Sequence, residues 1–305
     1  TLFVAAPDEL FSVDLRTLEH KTISQDNSRA IAYYDGYLYV ASANLLKRYS
    51  ISEPMPEITA VFNEGDNITA LLISEDGIAW LGTEKGDILS YSLHNGATKK
   101  WSAGSMVENI FLDSGKNLWA ATFSNGIILI EREKNVKNLL HDEKNNNSIS
   151  SNFVRSICED ENGNMWIGTF SGLDFLEKKT GRFSHFLPDR FRPESLSNSS
   201  VWVVKKDGQG TMWIGTFFGG VNYFNPDYAF YRTFPYTSIE GVGISSQIIR
   251  KIGINDAGEC HNRQCDIWNI VQKTAYEPTF DALANQRNGY DADEVRHHNH
   301  NQEIK

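Results

Sequence analysis

The feature that most restricts the fold of this chain is a sequence unit that recurs around a tryptophan. Two copies share the run MWIGT, one around Trp166 and one around Trp213. Weaker copies read IAWLGT around Trp80 and NLWAAT around Trp119. Counting from Tyr39, the successive intervals are 41, 39, 47 and 47 residues. A tryptophan that returns at this spacing indicates a structural repeat rather than isolated motifs.

Each unit contains four short apolar runs that are separated by polar turns with glycine. In the clearest unit these runs are Val154–Cys158, Met165–Phe170, Leu173–Leu176 and Phe183–Phe186. Such runs indicate antiparallel hairpins. Repeats of about 40–45 residues with four strands each are typical of propeller blades. We therefore predict an all-β fold, a β-propeller of about seven four-stranded blades, with six blades and a strand-swapped closure as the alternative.

The repeat also predicts where the blades begin and end. The predicted blades are Thr1–Ile23 without its first strand, Ala30–Phe62, Ile68–Trp101, Val107–Leu140, Val154–Leu187 and Val201–Phe234. A further first strand begins at Ile248, but Gly258 then lies 10 residues before Trp268, and the pattern fails. We predict propeller blades over residues 1–259, with a distorted last blade and a poorly ordered, polar tail over 260–305.

The repeated residues are predicted to be structural. The tryptophan ring is expected to pack between neighbouring blades, and the glycine after it to allow close approach of another backbone. An aspartate six residues before the tryptophan, such as Asp160, is expected to bond to its own turn. The residues predicted to have these structural roles are Trp80, Trp119, Trp166, Gly168, Thr169, Trp213, Gly215 and Thr216.

Charge and composition exclude several classes of function. The formal net charge of −10 disfavours binding to nucleic acid or to an anionic membrane surface. A run of about 20 apolar residues, which a transmembrane helix needs, is absent from the sequence. The chain has no signal peptide and starts inside a strand-like run, so we expect it to be a piece of a longer protein.

The segments that precede two of the blades complete a recognisable repeat. These segments are Ser148-Ile149-Ser150-Ser151-Asn152 before Val154, and Leu196-Ser197-Asn198-Ser199-Ser200 before Val201. Together with Trp166–Thr169, Trp213–Thr216 and Gly219-Gly220-Val221-Asn222, the units resemble the two-component regulator propeller repeat. The resemblance is strong over 148–235, fair over 27–140 and weak after 259.

The resemblance implies a function in signalling. In that family the repeats build the periplasmic sensor of hybrid two-component systems from gut Bacteroides-type bacteria, held by an inner-membrane anchor. The implied partners are an oligosaccharide or other small-molecule ligand, a second propeller, a β-sandwich and, as one option, a second copy of the chain. Kinase and DNA-binding segments would lie elsewhere in the protein. We therefore expect a ligand-sensing domain that is not an enzyme and needs no cofactor or metal.

One end of the propeller is predicted to bind the ligand. In a four-stranded antiparallel blade, the turn between strands two and three lies at the same end as the link to the next blade. Aromatic rings at this end can stack on sugars, and arginines can bind hydroxyls or a uronic carboxylate. The candidate ligand-binding residues are Phe170, Phe217, Phe218, Arg190, Phe191, Arg192 and Trp202. The competing interpretation is that each phenylalanine packs between blades.

Two other functions stay open from the sequence. A propeller lyase of the streptogramin-lyase type would need a histidine and an acid near the axis together with a metal ion. A protein-binding scaffold would show an exposed apolar patch on one end face. Cys260 and Cys265, with the tail histidines, have irregular spacing for a metal site, so we expect none there. These two cysteines could instead form a small disulfide in an oxidising compartment.

Overall fold

A computed structural model describes residues 1–6, 9–25, 28–50, 56–63, 66–192 and 195–225, and the backbone of three short strands beyond them. The first twelve strands are β1 Leu2–Ala5, β2 Leu10–Val13, β3 His20–Ser24, β4 Ala30–Tyr34, β5 Tyr37–Ser42, β6 Leu45–Ser50, β7 Pro56–Val61, β8 Ile68–Ile73, β9 Ile78–Thr83, β10 Asp87–Ser92, β11 Thr98–Ser102 and β12 Val107–Leu112. The others are β13 Leu118–Thr122, β14 Ile127–Glu131, β15 Asn135–Leu139, β16 Val154–Glu159, β17 Met165–Thr169, β18 Gly172–Glu177, β19 Arg182–Phe186, β20 Val201–Lys206, β21 Met212–Thr216, β22 Gly220–Asn225, β23 Phe230–Phe234, β24 Ile252–Ile254 and β25 Cys260–Asn262.

In the part of the chain that the structure describes, strands β1–β23 form six blades of a β-propeller. The first blade has three strands, β1–β3, and each of the other five has four consecutive antiparallel strands. The predicted all-β propeller is therefore confirmed, and its blade number in the described residues is that of the six-blade alternative. The first blade lacks one strand, as the sequence predicted. Beyond the sixth blade, β24 and β25 pair as a separate two-stranded hairpin, and β24 lies against β20.

The first strand of each four-stranded blade lies nearest the propeller axis. These inner strands, β4, β8, β12, β16 and β20, contact one another in that order. Glycine in the second strand allows this approach: a Cβ atom on Gly168 would lie 2.7 Å from Cγ1 of Val201 in the next blade. On Gly82 it would lie 2.4 Å from Val107. Neighbouring blades therefore meet where the sequence repeats its glycine.

The repeated tryptophans fill the space between blades. Trp166 is buried against Val204, Met212 and Phe224, all from the following blade. Its indole Nε1 donates a hydrogen bond to Oδ2 of Asp160 at 3.1 Å. The equivalent indoles of Trp119 and Trp213 donate to Asp113 and Asp207, each at 2.9 Å. One aspartate therefore holds both its turn and the ring of the tryptophan six residues later.

The predicted irregular tail lies outside the described residues, apart from the backbone of the last hairpin. Of the cysteine and histidine pattern after residue 259, the structure describes only the backbone of Cys260 and His261 in β25, and the predicted domain boundary at that point stays a prediction. In the described ranges, the chain forms no helix of the length and hydropathy that a membrane crossing requires.

Candidate functional site

Four inner strands carry a β-bulge at the same point. The pairing with the second strand skips one residue after the first position of β8, β12, β16 and β20. The skipped residues are Thr69, Glu108, Arg155 and Trp202, and we call these four the mouth residues. Each lies at the blade end where strand two turns into strand three. Because a bulge redirects the side chain of the extra residue, these positions place four different groups around one end of the axis.

Aromatic rings surround the mouth residues of the fourth, fifth and sixth blades. The ring of Phe153 lies 4.5 Å from that of Phe123 and stacks with Phe170 at 5.8 Å. On the sixth blade, Trp202 stacks with Phe217 at 5.4 Å and an interplanar angle of 11°. Phe217 in turn contacts Phe218 edge-on at 4.1 Å.

Arg155 joins the two groups of rings. Its guanidinium lies 4.4 Å from the ring centre of Phe153 and 3.9 Å from that of Trp202. Such stacked cation–π contacts hold a guanidinium in a fixed orientation. We call the continuous set the aromatic arc, which consists of Phe123, Phe153, Phe170, Arg155, Trp202, Phe217 and Phe218.

Backbone hydrogen bonds fix the arc at the strand two–three turns. In each of the last three blades, the residue after the repeated threonine position donates its N–H to the carbonyl oxygen of the residue that precedes the inner strand of the same blade. The bonds run from Phe123 to Met106, from Phe170 to Phe153 and from Phe217 to Ser200, at 2.8–3.0 Å. Phe123, Phe170 and Phe218 keep 45%, 55% and 50% of their surface exposed. The arc is therefore both ordered and accessible.

An ion pair sits beside the arc. Arg155 Nη1 lies 3.5 Å from Oε2 of Glu108, and the two side chains are 19% and 18% exposed. Burial raises the pKa of Glu108, and the charges of Arg155 and Arg29 oppose that shift only in part. The mouth therefore holds a carboxylate that its surroundings only partly stabilise.

The structure brings together four of the seven predicted ligand residues. Phe170, Phe217, Phe218 and Trp202 all belong to the aromatic arc. Arg190, Phe191 and Arg192 lie on the link before the sixth blade, where Phe191 is 87% exposed and Arg192 pairs with Asp189 at 3.6 Å. Among the described residues, no ring contact, ion pair or hydrogen bond joins these three to the arc.

Sequence reasoning left out several residues of the arc and the mouth. Phe123, Phe153, Glu108 and Arg155 were not among the predicted ligand residues. A usable signal was present, because each mouth residue directly follows the first apolar residue of an inner strand, as in Val107-Glu108 and Val154-Arg155.

The link at residues 142–152 is bound to the outer part of the fifth blade. The fully buried Asp174 accepts hydrogen bonds from the N–H of Ser150 at 2.7 Å and from its hydroxyl at 3.0 Å. His185 contacts Asp174 through Nδ1 at 2.7 Å, and its Nε2 lies 3.1 Å from the carbonyl oxygen of Asn146. Asn147 donates to the carbonyl oxygen of Gly181 and accepts from the N–H of Phe183, and so protects the start of the edge strand β19 from further pairing.

At the opposite end of the propeller, polar side chains of the fourth and fifth blades bind one another. Lys178 Nζ donates to Asp113 and to Glu159, both at 2.9 Å, and so joins the fourth and fifth blades. Glu159 also accepts from the N–H and the hydroxyl of Ser114. Although burial raises the pKa of Asp113, hydrogen bonds from Trp119, Asn117 and Lys178 bring it below its ordinary value. These side chains are already engaged with one another.

The histidines whose side chains the structure describes lie away from the axis. His20 and His185 are on the outermost strands β3 and β19, His94 is in a turn after β10, and His141 is on a link. In the part of the chain that the structure describes, the inner strands contain no histidine, and no group of three His, Cys, Asp or Glu side chains could hold a metal ion.

Two segments of the chain match a known family model. The two-component regulator propeller model matches residues 148–171 and 195–218. The chain contains two-component regulator propeller repeats. Each matched repeat includes one link, one bulged inner strand and one strand two–three turn. The matched segments therefore contain every residue of the aromatic arc except Phe123: Phe153, Arg155, Phe170, Trp202, Phe217 and Phe218.

Solved structures share the propeller fold at low sequence identity. A streptogramin B lyase is 13% identical, with a TM-score of 0.63 over 84% of this chain and 83% of its own. A chain of a mitotic checkpoint complex is 11% identical, with a TM-score of 0.64 over 86% and 80%. The extracellular domain of a putative hybrid two-component system from B. thetaiotaomicron is 18% identical, with a TM-score of 0.44; 86% of this chain spans only 43% of that domain. No curated protein matches the sequence significantly.

Proposed function

We propose that this propeller is the ligand-sensing domain of a hybrid two-component regulator, located outside the cytoplasm and recognising an oligosaccharide. The observation that carries the proposal is the aromatic arc, which spans three blades at one end of the axis. Aromatic faces suit the apolar faces of sugar rings, and a few fixed polar groups provide specificity. The two-component regulator repeats support the role in signalling.

Transmission of the signal would depend on parts of the protein beyond this propeller. The chain spans 43% of the extracellular domain of the putative hybrid two-component system from B. thetaiotaomicron. We propose that a second propeller, a β-sandwich and a membrane anchor connect it to a kinase, and that binding changes how these parts associate. The propeller itself would bind without chemical conversion of its ligand.

The lyase hypothesis receives less support from the site. Such an enzyme would need a histidine and an acid near the axis, and the described inner strands place an arginine, a glutamate, a threonine and a tryptophan at the mouth. Protein docking is the second candidate function. It is favoured by three half-exposed phenylalanines, Phe123, Phe170 and Phe218, on the same end face.

Calorimetric titration tests the proposal directly. Neutral and acidic trisaccharides derived from glucan, galactan, mannan, xylan and pectin would be titrated into the wild-type protein. We expect at least one series to bind, and the double variant Trp202→Ala/Phe217→Ala to weaken it by at least about tenfold, or about 1.4 kcal/mol. Phe191→Ala is the matched control, because this exposed ring lies off the arc.

Two results would count against the proposed site or function. Unchanged affinity in the arc double variant, with loss in Arg190→Ala/Arg192→Ala, would move the site to the link. Absence of binding across the whole panel, together with capture of a defined protein domain through the exposed phenylalanines, would favour the docking function.

A further inference from the structure

The carboxylate of Glu108 has spare capacity to accept hydrogen bonds at the mouth. Among the described residues it accepts one hydrogen bond, from Arg155 Nη1, and at 3.5 Å that bond is at the limit of a useful contact. An ionised carboxylate can accept about four such bonds. The side chain is 18% exposed, so water reaches it in the free protein. A ligand seated on the arc would exclude that water and would have to supply donors in its place.

The charges around Glu108 are already balanced. Arg155 faces Glu108 itself, and Arg29, which precedes the inner strand β4, lies 4.0 Å from Glu84. Thr69, the remaining polar mouth residue, donates its hydroxyl to the carbonyl oxygen of Val107 at 2.6 Å. A charged ligand would therefore be attracted by one member of each ion pair and repelled by the other.

We infer that the mouth selects neutral, hydroxyl-bearing sugars over acidic and amino sugars, with Glu108 as the residue that determines this specificity. The inference rests on the proposed function and names the ligand class of that same site. A sugar hydroxyl can donate to Glu108 and accept from Arg155 without adding charge. A uronic carboxylate would be buried beside Glu108, and an ammonium group beside Arg155, each with incomplete compensation.

Repulsion of charged sugars at the mouth would give the site specificity by disfavouring the wrong ligands. A binding site can discriminate by disfavouring the wrong ligand as well as by holding the right one. The formal net charge of −10 adds a long-range electrostatic repulsion that further disfavours anionic sugars. The arc supplies an affinity that all sugar rings share, and the Glu108–Arg155 pair selects among sugars by their charge.

The inference is tested with trisaccharides that differ only in charge. One matched set is β-1,4-linked: cellotriose, the trimer of glucuronic acid and the trimer of glucosamine. Corresponding neutral, uronic and amino-sugar sets would be used for the galacto and manno series. Calorimetry on the wild-type protein should rank the neutral trimer first in any series that binds, ahead of the acidic and amino forms by about tenfold or more.

Substitution of Glu108 separates its role from that of the arc. Glu108→Gln should weaken the neutral trimer by about tenfold and narrow its advantage over the uronic trimer by a similar factor. Glu161→Gln is the matched control, because Glu161 forms an ion pair with Lys206 at the opposite end of the propeller. Thermal unfolding of both variants would establish that they are folded.

The outcomes distinguish this inference from the function on which it rests. A wild-type preference for the acidic or amino trimer, or an unchanged neutral-to-acidic ratio in Glu108→Gln, would overturn the inference and leave sugar sensing intact. Binding of no trimer in any series would overturn the proposed function, and the inference with it.

Discussion

Aspartate and tryptophan act as one structural unit at the residue scale. The aspartate carboxylate accepts turn N–H groups with one oxygen and the indole N–H with the other, as Asp160 does with Asn162, Asn164 and Trp166. The indole can be buried between blades because its single donor is satisfied. The six-residue spacing follows from this geometry, since the turn and the first residues of strand two separate the two side chains.

Loss of one such ring should strongly destabilise the propeller. We expect Trp166→Ala to lower the free energy of unfolding by about 3–5 kcal/mol, because it removes a buried ring and leaves a cavity between two blades. Phe191→Ala should change it by less than about 0.5 kcal/mol, as is usual at an exposed site. Urea unfolding of both variants provides the comparison. Equal midpoints for Trp166→Ala and wild type would contradict the packing role.

The repeated glycine should not tolerate even a methyl group. In Gly168→Ala the added Cβ would meet Val201 of the next blade at 2.7 Å, so we expect a loss of about 1–3 kcal/mol. Gly208→Ala is the control, because a Cβ there has no neighbour within 4 Å. Thermal unfolding distinguishes the two variants. If both melt at the same temperature, blade contact at Gly168 is looser than the structure shows.

At the element scale, the two best repeats differ in how their links are fixed. The link before the sixth blade is held by a neutral amide, since Asn222 accepts from the N–H of Ser197 and donates to its hydroxyl. The link before the fifth blade uses Asp174 and His185 instead. Asp174 and His185 are paired across β18 and β19, as Asn222 and Thr233 are across β22 and β23. The side chains that fix the link before the fifth blade can therefore titrate, whereas Asn222, which fixes the link before the sixth blade, cannot.

This difference predicts a pH dependence. Burial by itself lowers the pKa of His185, but hydrogen bonds to Asp174 and the Asn146 carbonyl outweigh it and raise that pKa above 6.5. Stability from His185 is therefore fully present below pH 6.5 and is lost as pH rises through the raised value. Burial also raises the pKa of Asp174, so the contribution of this carboxyl to stability likewise decreases as pH rises.

Replacing the pair by its neutral counterpart should remove the effect. We expect the urea midpoint of the wild-type protein to decrease as pH rises from 6.5 through the raised pKa of His185, and the midpoint of Asp174→Asn/His185→Thr to change less over that range. Hydrogen exchange of the link at residues 142–152 should follow the same trend. A double variant with the wild-type pH profile would assign the dependence to other groups.

At the scale of the whole molecule, the repeat predicted the blades because each blade is defined by local signals. Polar links mark the starts of inner strands such as those at Val154 and Val201. The three-stranded first blade was predicted by counting the apolar runs in Thr1–Ile23. The mouth residues were harder to predict, since a bulge breaks the alternation by which strand faces are assigned. Phe153 was missed for a related reason, because Phe123 comes from the neighbouring blade and Arg155 is itself the bulged residue of β16.

The central claim is that ligand binds at the end of the propeller that carries the aromatic arc. Hydrogen–deuterium exchange with and without the neutral trisaccharide panel would test it most directly. We predict protection on binding at residues 106–109, 153–156, 169–171, 200–203 and 216–219, and none at the opposite turns 113–117, 160–164 and 207–211. Protection confined to the opposite turns would contradict the account.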